Sequence, residues 1–210
     1  MKKIGSGLQF NVYDLGNGKV LKKPKKDIAM YFLNLIWEPY LIFAPWILKK
    51  RIVHARGDRK EAINYFSKNP FNKSLIANLV INEDRIFQDK VHPISKEIGF
   101  SFEKGKRLID SYYDLIFKMW KQGFAEKVYK FVENYGVNSR GEVVLIDFAE
   151  MRFSKEDVAK DILRKRWMKV NSDKRKIKGK LRKYYKQKME ELLTIKNLER
   201  YWGNENEKNI

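Results

Sequence analysis

A chain of 210 residues with 43% apolar and 14% aromatic side chains can bury a sizeable core and is too apolar to be disordered. It has no cysteine, which excludes a disulfide framework and a thiolate metal site, and only two histidines, His54 and His92, which argues against a histidine-built zinc site. Lys and Arg number 45 against 26 Asp and Glu, and the net charge of +19 points to an anionic partner: nucleic acid, an acidic membrane face or a phosphorylated ligand.

In chain order, the first ten residues turn polar and glycine-rich at once, unlike a signal peptide. Phe10–Leu15 and Val20–Lys22 read as strands joined by a Gly16-Asn17-Gly18 hairpin turn and ended by Pro24. Ile28–Leu48 is long enough to cross a bilayer and carries one charge, Glu38. Pro39 and Pro45 argue against a continuous spanning helix, and KKPKK before it and KKR after it give no orientation bias. Two readings remain: a helix pair packed on the rest of the protein, which is favoured, or a monotopic segment with Trp37, Tyr40 and Trp46 at a membrane interface.

Asp58–Phe66 reads as a helix, Leu75–Ile81 as a strand, Asn82-Glu83-Asp84 as a turn and Arg85–Val91 as a strand. Phe102–Gly123 has apolar residues at helical spacing and a glycine stop. An irregular piece then runs to Gly136, followed by a Ser139-Arg140-Gly141 turn and a strand over 142–146. Ser154 caps a helix starting near Asp157. The remainder reads as charged helices broken near Asn171-Ser172, with a frayed end over 203–210. Residues 164–188 carry thirteen basic residues and one acid, Asp173; Trp167, Tyr184 and Tyr185 interleave, which suits either helix packing, the favoured reading, or stacking on nucleic acid. His54 and His92 read as ordinary surface or turn residues. The order of elements is α+β, with a small sheet in front and helices behind.

The chemistry concentrates in ENYGVNSRGEVVLIDFAE, residues 133–150. The apolar run Val143-Val144-Leu145-Ile146 ends in Asp147, and Asn134 stands thirteen residues upstream across a hairpin. A carboxylate at a strand end and an amide oxygen are suitable ligands for Mg²⁺, which completes its shell with water and substrate phosphates.

In these residues the chain resembles the protein-kinase-like superfamily. The Asn134-to-Asp147 interval matches that from the catalytic-loop Asn to the Asp of D-F-G, for which Asp147-Phe148-Ala149 stands in. Gly5-Ser6-Gly7, followed by Phe10 and Val12, looks like the Gly-rich phosphate loop, with Asn11 near the third glycine. Val20-Leu21-Lys22 looks like the V-A-I-K strand. The resemblance implies a two-lobed fold: a small antiparallel N-lobe sheet over 1–91 and a reduced helical C-lobe over 92–210, with ATP and Mg²⁺ between them. It implies Lys22 on the phosphates, Glu61 (or its rival Glu38) orienting Lys22, Asn134 and Asp147 on the metal, and a hinge over Phe87–Lys90 in which Gln88 and Lys90 meet the adenine.

Two departures stand out. Tyr129 occupies the position of the H-R-D aspartate, leaving Glu126 and Glu133 as candidate bases, and about sixty residues follow Asp147 without A-P-E. The second trait resembles minimal RIO-type and lipopolysaccharide-type kinases. The expectation is an ATP-dependent phosphotransferase on an unknown acceptor, cytoplasmic or peripheral on the inner membrane face, where an anionic membrane surface is a partner. The alternatives are a nucleotide-binding pseudokinase scaffold or, less favoured, a nucleic-acid-binding protein.

Overall fold

The computed structural model describes residues 1–83, 85–98 and 101–203, so Asp84 of the expected turn and the frayed end beyond Gly203 lie outside the described residues. The architecture is α+β. The chain forms two compact units, one of Met1–Lys73 with Asn78–Lys90 and the other of Ser74–Ala77 with the chain from Val91 onward. The expected boundary at 91/92 therefore falls at Lys90/Val91, and a four-residue piece of the intervening chain goes to the second unit.

The first unit holds a five-stranded antiparallel sheet of β1 (Lys2–Ser6), β2 (Phe10–Asp14), β3 (Lys19–Pro24), β4 (Val80–Asn82) and β5 (Arg85–Asp89), in the order β1-β2-β3-β5-β4. The β2–β3 hairpin forms as expected, with Gly16 and Gly18 at φ 82° and 74°, values that a side chain would resist. β1 went unforeseen because Lys2, Lys3 and Ser6 hide its pattern; lysines suit the edge position that it takes. Phe10, Val20 and Ile86 share one buried face of the sheet, and Leu21 is buried on the other.

The expected strand over Leu75–Ile81 is mostly absent. Lys73–Ile76 makes a 3₁₀ turn, and Ala77 and Asn78 follow in the left-handed region at φ 46° and 53°, so extended chain resumes only at β4. An apolar run of that length is buried here as a turn, which periodicity alone cannot tell from a strand.

Helix α1 (Asp27–Trp37), a 3₁₀ turn (Pro39–Phe43) and helix α2 (Pro45–Lys68) account for the apolar stretch. It breaks at both prolines, each of which then starts the next helical piece, where its missing N–H costs nothing. Met30, Leu41, Leu48 and Ile52 are buried together with Leu8, Tyr31 and Leu35 against them, so the favoured packed helix pair describes one face of this segment. The helix expected at Asp58–Phe66 is the second half of α2, which buries Ala55, Arg59, Ala62 and Phe66.

The second unit begins with β6 (His92–Pro93), the short α3 (Ile94–Glu97) and the central helix α4 (Phe102–Lys121). Ser101 caps α4, accepting from the Lys104 amide at 3.1 Å, and Gly123 at φ 78° follows its end. Its predicted stripe of Leu108, Ile109, Tyr112, Leu115, Ile116 and Met119 is buried. Then come β7 (Ala125–Glu126), α5 (Phe131–Asn134), β8 (Tyr135–Val137), β9 (Val143–Leu145) and β10 (Met151–Arg152). β8 lies between β6 and β9, and β7 pairs with β10. Ser154 caps α6 (Lys155–Leu163) as expected.

The basic tail forms a 3₁₀ turn (Arg166–Lys169), α7 (Asn171–Lys176), α8 (Gly179–Leu192) and α9 (Ile195–Tyr201). The break expected at Asn171-Ser172 is displaced to Val170 and Ile177-Lys178, because α7 starts at Asn171 and is held by its buried Asp173. Trp167 and Tyr185 are buried edge to face at 6.0 Å, and the Tyr184 hydroxyl donates to Asp110. These rings are spent on packing, as the favoured reading had it.

Gly136 on β8 packs against β6 so closely that an added Cβ would lie 2.9 Å from the His92 carbonyl oxygen and 2.6 Å from Val91 Cγ2. The valine can rotate; the carbonyl, in a paired strand, cannot. Gly136→Ala should therefore destabilise the protein by about 2 kcal/mol, readable as a lower denaturant midpoint at unchanged slope.

Candidate functional site

The 133–150 segment folds as the hairpin of β8 and β9. Asn138 shapes its turn, its side-chain oxygen accepting from the amides of Arg140 (2.9 Å) and Glu142 (3.0 Å), while Gly141 takes φ 80°. Ser111 of α4 accepts from the Val143 amide at 3.0 Å and ties the second strand to the central helix. At the hairpin's open end the Asn134 carbonyl accepts from the amides of Ile146 (2.7 Å) and Asp147 (3.2 Å). The two residues that the sequence places thirteen apart are thus joined backbone to backbone.

Their side chains differ in how they are held. Asn134 is buried, and its amide nitrogen donates to Glu126 Oε1 at 2.8 Å. That bond fixes the amide and leaves its oxygen as an acceptor. Asp147 is half-buried, and among the described residues its carboxylate takes one bond, from the Ala149 amide at 3.3 Å. Phe148 and Ala149 are buried behind it. Among the described residues no cluster of three His, Cys, Asp or Glu side chains could hold a metal. An amide oxygen and one carboxylate fit an ion that keeps most of its waters, as Mg²⁺ does.

Glu126, weighed from sequence as a possible base, is instead the hub of this loop. It is buried, and its two oxygens accept from the Lys130 amide (3.0 and 2.9 Å), the Asn134 amide and the Tyr135 hydroxyl (2.8 Å). Burial pushes its pKa up to about 7, against the lowering effect of the Lys130 amide and ammonium and the Tyr135 hydroxyl. The Lys130 ammonium pairs with Glu150 at 2.7 Å; burial favours its neutral form, but Glu150 outweighs that and raises its pKa.

A second buried acid braces the same loop. Asp173 accepts from the amides of Phe131 (3.3 Å) and Val132 (3.0 Å), the start of α5, and from the Tyr185 hydroxyl (3.1 Å). Burial raises its pKa to about 6, opposed by those three donors. Sequence reading missed this role, although a lone acid in a strongly basic tract was the available signal.

Tyr129, five residues before Asn134, is buried at φ 58°, and its hydroxyl accepts from Trp120 Nε1 at 3.2 Å. Burial raises its pKa, so the phenol stays protonated. Glu133, next to Asn134, is exposed and is the candidate base left facing solvent.

In the first unit, Gly5 and Ser6 end β1 and Gly7 opens the turn to β2. Ser6 Oγ donates to Asn11 at 3.3 Å. Lys25, which sequence reading passed over, is buried and donates to Ser6 Oγ (2.7 Å) and the Gly7 carbonyl (2.6 Å), so its ammonium braces this turn. Lys22 is buried on β3, opposite Val12 and Ile86, with its ammonium 5.6 Å from the centre of the Phe10 ring.

Glu61 lies on the exposed side of α2, and Glu38 pairs with Arg51 at 2.8 Å and accepts from Tyr40. The charged group that α2 buries is Arg59, which donates to the carbonyls of Gln9 (3.0 Å) and Lys25 (3.2 Å). Gln88 is buried within β5. Lys90 gives its amide to the Gly18 carbonyl (2.8 Å) and its ammonium to Asp14 (2.6 Å).

No protein-family profile matches this chain, and no curated protein matches it.

Proposed function

We propose that this protein is an ATP-dependent phosphotransferase of the protein-kinase-like fold, with Asn134 and Asp147 as the ligands of Mg²⁺ and Lys22 as the phosphate-binding lysine. The observation that carries the reading is the Asn134–Asp147 pair: an amide locked by Glu126, and a carboxylate left largely unbonded, on backbones that hydrogen-bond to each other. Two features of the first unit support it. The lysine sits on the third strand, and a glycine-bearing turn joins the first two. When bound, the metal would neutralise phosphate charge, the main requirement of phosphoryl transfer besides positioning. Glu61, exposed on α2, has no part in the proposal. The phosphate acceptor is assigned no identity beyond an anionic or membrane-borne class that suits the charge of +19.

One observation favours a second reading, a nucleotide-binding scaffold without chemistry: Tyr129 is a buried phenol where an acid would accept the substrate proton. Calorimetric titration of ATP with Mg²⁺, and again with excess EDTA, followed by single-turnover release of γ-phosphate, separates the two. Saturable magnesium-dependent binding with phosphate release supports the phosphotransferase. Binding without release supports the scaffold, and no binding refutes both.

A further inference from the structure

The segment α1–3₁₀ turn–α2 has a second face that its own packing does not use. Opposite the buried Met30, Leu41, Leu48 and Ile52, the side chains of Ile28, Phe32 and Ile36 form an exposed stripe along α1 at four-residue intervals. The turn and the start of α2 continue it with Phe43 (84% exposed), Ile42 and Trp46 (67%). Ile28, Trp46 and Val53 also line an open groove of about 620 Å³ between the two helices. A contiguous apolar face of this extent marks an interaction surface.

Charge identifies the occupant. Residues 22–56 carry eight basic groups and two acids. Both acids are paired internally, Asp27 with Arg56 at 2.8 Å and Glu38 with Arg51 at 2.8 Å, leaving the exposed Lys26, Lys49 and Lys50 on the helical segment that carries the apolar face. Trp37, Tyr40 and Trp46 are exposed there too, the residue types that settle at headgroup depth. Among the described residues no helix is long and apolar enough to cross a membrane. Prolines at 39 and 45 interrupt the segment, each starting a new helical piece, so it does not run as one continuous helix.

We propose that this face docks monotopically on an anionic lipid bilayer, with Phe32, Ile36, Phe43 and Trp46 inserted below the headgroups and Lys26, Lys49 and Lys50 on lipid phosphates. The docking is independent of nucleotide binding, and its test reads no turnover. Flotation of the full chain with vesicles of equimolar phosphatidylglycerol and phosphatidylcholine should recover it with the lipid, and pure phosphatidylcholine should retain at least tenfold less. The triple variant Ile36→Ser/Phe43→Ser/Trp46→Ser changes exposed side chains only, so its melting temperature should match wild type while its affinity for the anionic vesicles falls at least tenfold. Equal binding of variant and wild type would place the attraction on the basic tail and overturn the proposal. So would failure of the wild type to float. A wild type that sediments as a dimer, with a monomeric variant and no flotation of either, would assign the face to a second copy of this chain and overturn it as well.

Discussion

Glu126→Ala should lower folding stability by about 4 kcal/mol, because it strips acceptors from three buried donors at once: the Lys130 amide, the Asn134 side-chain amide and the Tyr135 hydroxyl. For a chain of this size that is a fall in melting temperature of roughly 10 °C. Glu126→Gln keeps the shape and one acceptor oxygen, so it should cost less and should isolate the charge. The buried carboxyl titrates near 7, whereas an unfolded glutamate titrates at 4.5. Between those values the folded protein holds a proton that the unfolded chain has released, so this group's contribution to stability falls as pH rises through the window and levels off above 7. The full swing is about 3 kcal/mol. Asp173, raised by burial to about 6, acts in the same direction, but it is present in both proteins and cancels in their difference. The stability of wild type minus that of Glu126→Gln should therefore fall steadily from pH 4.5 to pH 7. Parallel stability profiles across that range would mean that burial does not raise the Glu126 pKa in the folded protein.

The same hub shows what sequence could and could not reveal. The Asn134–Asp147 interval was legible because a hairpin places residues by count, and Gly141 and Asn138 mark where it turns. The helix over 102–121 was legible because more than five turns of apolar spacing outweigh any single residue; the strand at 75–81 was misread because a short apolar run has no period long enough to decide. Glu126 and Asp173 read as unremarkable acids, since what defines them is burial beneath partners from elsewhere in the chain: Tyr135, Asn134 and Lys130 for one, Phe131, Val132 and Tyr185 for the other. The exposure of Glu61 has a related origin. Its helix was placed correctly, but the α2 face toward the sheet was set by Ala55, Arg59 and Ala62, a register in which position 61 points outward. Burying an arginine there defies the usual pattern, and two backbone carbonyls on Gln9 and Lys25 make it possible by accepting from its guanidinium.

Asp147→Ala should separate binding from folding. Its carboxylate is half-exposed and takes one long bond from the Ala149 amide, so the substitution should move stability by no more than about 0.5 kcal/mol. As a proposed metal ligand it should nevertheless be needed outright: affinity for Mg·ATP should fall at least about a hundredfold, to the level that the wild type shows in EDTA. Asn134→Ala makes the informative contrast. Its amide donates to Glu126, so that variant should lose both Mg·ATP affinity and about 1 kcal/mol of stability. Calorimetric titration beside thermal melts of the three proteins reads both quantities. An Asp147→Ala protein that binds Mg·ATP as the wild type does would remove the metal pair from the site and the phosphotransferase reading with it. An Asp147→Ala protein that folds normally, fails to bind and still floats with anionic vesicles would leave the membrane-docking face standing on its own.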